Sequence, residues 1–227
     1  MVMIEPSQGS NPRDDVGPFL KKLKSVTRKY GIVLCFDEII TGFRVALGGC
    51  QEHYGITPDM ATYGKTLGGG LPIGLVAGKK KIMDVIKGDK SGKPVFMGGT
   101  FSANPLAMRI SFVLLKHLMA HQKTLYSYLN AQGRRLRKEI NDFCVDRRIP
   151  ARAMGIGSMS RLIFTDKPVS SRRDRDHLEA PQELQSRFYL HLLKKGVHVS
   201  SNRILFISGA HGKADVARII KAICESL

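Results

Sequence analysis

Three short stretches of this 227-residue chain hold side chains whose type and setting could do chemistry. In the first, Asp37 and Glu38 follow an unbroken apolar run, Ile32-Val33-Leu34-Cys35-Phe36, which has the length and character of a strand buried on both faces. Open α/β sheets bind ligands beyond the carboxyl ends of their strands, so carboxylates there are placed to meet one. The alternative, that both cap the following turn, stays open. The second stretch is Tyr63-Gly64-Lys65-Thr66-Leu67-Gly68-Gly69-Gly70-Leu71-Pro72. A lysine set between a strand end and three glycines has free backbone space around it that a surface lysine does not need, although a flexible turn carrying a solvated amine gives the same pattern. No GxxxxGK[ST] spacing precedes Lys65, which excludes a Walker loop. In the third, Gly98-Gly99-Thr100-Phe101-Ser102-Ala103-Asn104-Pro105 puts hydroxyls just before a helix N-terminus, suited to phosphate or simply to capping.

The elements that must position these residues follow from periodicity and punctuation. Residues 2–5 read as a short strand that begins with the chain itself, which suggests an interior segment of a longer polypeptide. Asn11-Pro12 reads as the cap of a helix reaching Tyr30, with Val16, Leu20, Leu23 and Val26 inward and Gly31 as its stop. With the strand at 32–36 this makes a βαβ unit. Further strands are expected at 60–63 and 73–77, and helices at 105–118 and 126–145. Beyond Pro150 come strands at 151–156 and 159–165, a polar arm at 166–179 read as a mobile loop, a helix at 181–195, strands at 197–200 and 204–208, and a last helix from Lys213. The expected fold is α/β with a mostly parallel sheet in residues 1–124 and a smaller α+β domain in residues 125–227.

Composition narrows the classes. With 43% hydrophobic residues the chain can build a core, and no apolar run approaches the ~18 residues of a membrane span. A signal peptide is not evident, so a soluble cytoplasmic protein is expected. Cys35, Cys50, Cys144 and Cys224 are scattered without metal-ligand spacing and read as buried thiols. The formal charge is +17, and it is uneven: residues 1–76 hold 8 basic and 7 acidic side chains, leaving the rest at +16. Clustered cations can bind phosphates. Here the clusters at 79–81, 134–138 and 172–175 lack aromatic interleaving or a nucleic-acid motif, and solvated faces are the simpler reading.

Taken together and in this order, residues 35–44 (Cys-Phe-Asp-Glu-Ile-Ile-Thr-Gly-Phe-Arg), 64–72 and 99–105 resemble the class III pyridoxal-phosphate aminotransferases, in particular the branch similar to glutamate-1-semialdehyde 2,1-aminomutase. Weaker echoes run from Ile4-Glu5-Pro6-Ser7-Gln8-Gly9-Ser10 to Gly196-Val197-His198 and Ser208-Gly209-Ala210-His211. The resemblance implies the fold type I architecture with part of the large domain, pyridoxal 5'-phosphate as cofactor, and a small amino acid or carbonyl compound as substrate. It implies that Lys65 forms the Schiff base with the cofactor aldehyde and then serves as base. Asp37 would pair with the pyridinium nitrogen and keep it protonated. Thr100 would hold the cofactor phosphate from the neighbouring subunit, which implies a homodimer.

Departures from the family pattern carry information too. Ile40 stands where many members have a glutamine touching the cofactor's phenolic oxygen, and Gln8-Gly9-Ser10 lacks the gate glutamate of ornithine- and GABA-type enzymes. Nothing matches the Gly-Thr-Glu-Ala phosphate loop or the ring-stacking aromatic of the family's N-terminal part. The expectation is therefore the C-terminal part of a longer transaminase or aminomutase. The rival expectation is an inactive fragment or a basic binding module retaining relic motifs. Neither membrane nor nucleic acid is expected as a partner.

Overall fold

The computed structural model describes residues 1–88, 92–100, 102–199 and 204–227. Their contacts gather into two units, one made of Met1–Pro6 and Asp15–Gln122 and the other of Ser7–Asp14 and Lys123–Leu227.

In the first unit the apolar run forms β2 (Leu34–Asp37), and Leu34, Cys35 and Phe36 are all buried, as consecutive residues are only when both faces of a sheet are covered. Strand β1 (Val2–Ile4) pairs parallel with it, Val2 opposite Leu34. On the other side β3 (Met60–Tyr63) also runs parallel, with Thr62 opposite Asp37. Strand β4 (Leu75–Gly78) closes the sheet antiparallel, giving the order β1-β2-β3-β4. Helix α1 (Gly17–Lys29) joins β1 to β2 and buries Leu20 against Leu34, Phe36, Ile56 and Ala61.

The helix does not start where Asn11-Pro12 predicts. Pro18 sets its first turn, and Asn11 is buried in the segment that belongs to the second unit. Its inward stripe runs through Leu20, Leu23 and Thr27, whose hydroxyl is satisfied by Leu23 O, while Val26 is exposed. Two short helices, α2 (Gly49–Tyr54) and α3 (Lys80–Met83), carry no periodic signal in the sequence. Helix α4 (Pro105–Ala120) opens as expected, Asn104 Oδ1 accepting from the N–H groups of Leu106 and Ala107 at 3.1 Å each.

In the second unit the long helix α5 (Gln122–Asp146) lies against an antiparallel sheet of β5 (Arg152–Ile156), β6 (Met159–Ile163) and β7 (Ile204–Phe206). Leu136, Ile140, Leu162, Leu192, Val216 and Ile223 form its core, with α7 (Gln182–Lys194) and α8 (Lys213–Cys224) completing the α+β layer. The polar arm is not a loop throughout. Residues 172–178 form α6 (Arg172–Leu178), capped by Ser171 and held by Arg175, which is buried and donates to Ser10 O. Residues 197–199 are irregular rather than a strand, and Ser200, the end of that expected strand, lies outside the described residues.

Candidate functional site

Adjacent side chains of a strand point to opposite faces, and the acidic pair at the end of β2 divides accordingly. Glu38 is fully buried. Its Oε2 accepts from Thr41 Oγ1 at 2.5 Å and Cys50 N at 3.0 Å, and its Oε1 accepts from Gln51 N at 2.9 Å. Burial pushes its carboxyl above the ordinary glutamate range, the three donors pull it back, and the nearby Asp37 charge adds to the rise. Glu38 thus caps α2 across more than ten residues, and only its bond to Thr41 falls in the turn directly after β2 that the capping alternative named. The tight approach requires Gly49, at φ +69, where an added Cβ would lie 2.5 Å from Glu38 Oε2.

Asp37 is only half-buried. Its Oδ1 accepts from Ile39 N at 3.0 Å and from Thr62 Oγ1 at 3.2 Å, a bond that the parallel register of β2 and β3 sets up. Oδ2 has no hydrogen-bond partner among the described residues. One oxygen fixes the carboxylate and the other is free to accept from something outside the chain.

Lys65 follows β3 at the same end of the sheet and begins a single 3-10 turn (Lys65–Gly68). It is exposed and held at φ +41, a left-handed backbone that costs a residue with a side chain on the order of 1 kcal/mol. The two motifs touch: a Cβ on Gly64 would sit 3.6 Å from the side chain of Ile39 and 3.2 Å from Ile73 O. Glu38 N also donates to Thr62 O at 2.9 Å. The turn rests on α4, since a Cβ on Gly69 would meet Ile110 at 2.6 Å. A carboxylate with one free oxygen, an exposed amine on a strained backbone, and glycines where neighbouring chains approach suit a flat cationic ring bonded through an aldehyde. Asp37 and Lys65 fit the ring nitrogen and the aldehyde of pyridoxal phosphate, and the phosphate would have to be met by other residues.

Thr100 stands apart from this pair. It is exposed and lines a cavity of about 670 Å³ with Gly99, Ser102, Asn104, Met108 and Phe112, and neither Asp37 nor Lys65 lines that cavity. The first free N–H groups of α4 are already taken by Asn104. Phe101, inside the same motif, lies outside the described residues. Sequence reasoning missed Thr62, Gln51 and Tyr63. The parallel register could have pointed to Thr62, but no local signal marks the other two.

Among the described residues no helix is long and apolar enough to cross a membrane, and no cluster of three His, Cys, Asp or Glu side chains could hold a metal ion. None of the four cysteines is in a disulfide, and burial raises Cys35 above the ordinary thiol range, with the Asp37 charge adding to it.

A mostly parallel sheet with an acid and a lysine at the carboxyl ends of neighbouring strands defines an α/β fold with a candidate ligand site at its strand ends. The family model for class III aminotransferases matches residues 1–207, and the chain belongs to that family. It is 36% identical to the glutamate-1-semialdehyde 2,1-aminomutase of Methanococcoides burtonii over 100% of its own length and 52% of the relative's. With the enzyme of the same name from Methanobrevibacter smithii it shares 38% identity over 97% of this chain and 48% of the other. The crystal structure of an omega-transaminase from Sphaerobacter thermophilus superposes with a TM-score of 0.87 at 30% identity, covering 100% of this chain and 51% of that one. The chain spans about half the length of the curated relatives it matches.

Proposed function

We propose that this chain is the C-terminal part of a pyridoxal-phosphate-dependent transaminase or aminomutase, acting on a small amino acid and a carbonyl compound. The observation that carries the reading is the placement of Asp37 and Lys65 at the carboxyl ends of neighbouring strands β2 and β3, with Thr62 bonded to Asp37 and Ile39 lying against Gly64. Bound there, pyridoxal phosphate supplies an electrophilic aldehyde and a ring that takes up the electron pair left when a substrate proton departs. Asp37 Oδ2 would accept from the ring nitrogen of the bound cofactor, and its negative charge would favour the protonated form of that nitrogen. Lys65 would hold the cofactor through its amine and would serve as the base that holds or moves the proton at the substrate α-carbon. Thr100 donates its hydroxyl to the cofactor phosphate of a neighbouring subunit, which makes the working enzyme a homodimer, and its location is cytoplasmic.

Borohydride reduction in the presence of pyridoxal phosphate tests the assignment. The expected result is a covalent adduct mapped to the peptide containing Lys65, absent in Lys65→Ala and weakened in Asp37→Asn. An equal adduct in Lys65→Ala overturns it.

A further inference from the structure

Asp37 and Lys65 account for the chemistry proposed above, but they leave unexplained the most costly group beside them. Glu38 is a carboxylate with no exposed surface, next in sequence to another carboxylate. Capping a six-residue helix does not demand one, since a serine or asparagine would serve locally.

The bonds around Glu38 continue beyond α2. Gln51, whose N–H is held by Glu38 Oε1, turns its side chain the other way and donates from Nε2 to Tyr63 Oη at 2.5 Å. Tyr63 is the last residue of β3, two positions before Lys65. Its ring packs at a tilt of 46° against Phe43 with centroids 5.4 Å apart and presses on Gly42, where a Cβ would be 2.6 Å from the ring edge. Gly42 N donates to Glu38 O at 2.8 Å. The path leaves Asp37, runs through Glu38, α2, Gln51 and Tyr63, and arrives at Lys65. On its other side Thr62 closes it, accepting from Glu38 N and donating to Asp37 Oδ1.

We infer that Glu38, acting through Gln51 and Tyr63, is a positioning residue that holds the Asp37 carboxylate and the Lys65 amine at a fixed separation. A closed ring of bonds has a use here that an open cap would not. Lys65 keeps a left-handed backbone that its own side chain disfavours, so its surroundings must hold it there. A cofactor anchored at its ring nitrogen and its aldehyde needs the two protein groups at one spacing.

The inference rests on the proposed roles of Asp37 and Lys65, and its test separates the two. Glu38→Gln turns an amide donor against backbone N–H groups and probes folding as much as positioning, so the decisive variants lie further along the ring. Tyr63→Phe and Gln51→Leu each remove one hydrogen bond, whereas Gln51→Glu keeps it with donor and acceptor exchanged. Adduct formation at Lys65 is titrated with pyridoxal phosphate on the wild-type chain and on each variant. Tyr63→Phe and Gln51→Leu should raise the half-saturating concentration about five-fold, the scale of one lost hydrogen bond, and Gln51→Glu should restore it. At saturating cofactor, where a loss of folded protein is compensated, the induced visible circular dichroism of the bound cofactor should still fall in the first two variants and recover in the third. A purely structural role leaves that signal at the wild-type value and overturns the inference. So does a Gln51→Glu chain that behaves like Gln51→Leu. A wild-type chain that takes no label at Lys65 overturns the functional reading and this inference with it, whereas normal wild-type labelling with unchanged variants overturns the inference alone.

Discussion

Asp59 shows how a single carboxylate can be held charged by its neighbours. It sits just before β3, where Lys79 Nζ approaches Oδ1 at 2.5 Å and Lys24 Nζ at 3.2 Å, while Leu34 N donates to Oδ2 at 2.9 Å. Burial alone would raise its pKa, but the Lys79, Leu34 and Lys24 donors outweigh it and hold the carboxyl down from 3.8 to about 2. A pKa depressed by folding adds stability above the unfolded value and loses it as pH falls through the folded one. The contribution of Asp59 should therefore be complete above about pH 4 and gone below about pH 2, worth about 1 kcal/mol once solvent screening of the lysines is allowed for. Asp59→Asn should weaken the chain at pH 7 and flatten its loss of stability between these limits. Urea denaturation at a series of pH values measures this, and an unchanged acid limb would refute it. Glu38 titrates in the opposite sense: its pKa is raised by folding, so its share of stability declines as pH climbs above the unfolded value.

Helix α5 makes the corresponding case for whole elements. It presents two stripes to the sheet of its unit. Leu136, Ile140 and Cys144 form the apolar one, and Gly133, Arg137 and Asn141 form a second at the same four-residue spacing. Arg137 Nη1 donates to Gly157 O at 3.0 Å, Met159 O at 3.1 Å and Ser160 Oγ at 2.9 Å, and Asn141 brackets Ala153 with bonds of 2.6 and 3.0 Å. Gly133 lets the helix come this close, since a Cβ there would lie 2.1 Å from Gly157 O. In an exposed helix Gly→Ala usually stabilises by up to ~1 kcal/mol. Here the obstacle is backbone that cannot swing away, so Gly133→Ala should destabilise by about 2–3 kcal/mol, read as a lower urea midpoint with an unchanged slope. A neutral or stabilising effect would refute the close packing. The long stripe of α5 is legible in the sequence because its periodicity is local. So are β2 and the strand-end positions of Asp37 and Lys65, each marked by an apolar run or glycines beside it. Helix α2 is not, because it is held by a carboxylate twelve positions before Cys50 and has no apolar period of its own. Helix α6 is hidden by its polarity, although Ser171 and Asp174 form a readable cap; its anchor, Arg175 on Ser10 O, lies far away in sequence. The Asn11-Pro12 signal misleads because Pro18 competes with it and wins.

At the scale of the whole molecule the question is what a formal charge of +17 is for. Each basic cluster has a carboxylate paired within or beside it. Lys80 pairs with Asp84 at 2.5 Å, Arg135 with Glu139 and Lys138 with Asp142 at 2.6 Å each, and Arg172 with Asp176 at 3.4 Å. Arg137 and Arg175 turn inward onto backbone carbonyls. Cations interrupted by their own carboxylates are poorly set to track successive phosphates, which is what releases counterions and makes nucleic-acid binding steep in salt. The apolar surface of the first unit is the more adhesive feature: Phe96, Leu106, Met108, Phe112 and Val113 are all exposed, with Phe96 at 89%. Charge and apolar surface answer salt with opposite signs, so one titration separates them. Retention on duplex DNA should be weak, with a slope of log K against log salt no steeper than about −3, whereas a module engaging eight phosphates would give about −7. Sedimentation in sulfate should show self-association growing as the salt rises, because excluded anions strengthen apolar burial. A steep DNA slope together with salt-insensitive sedimentation would return the basic surface to the centre of the chain's function; a shallow slope with growing association leaves the charge as a solvated coat over an enzyme fold.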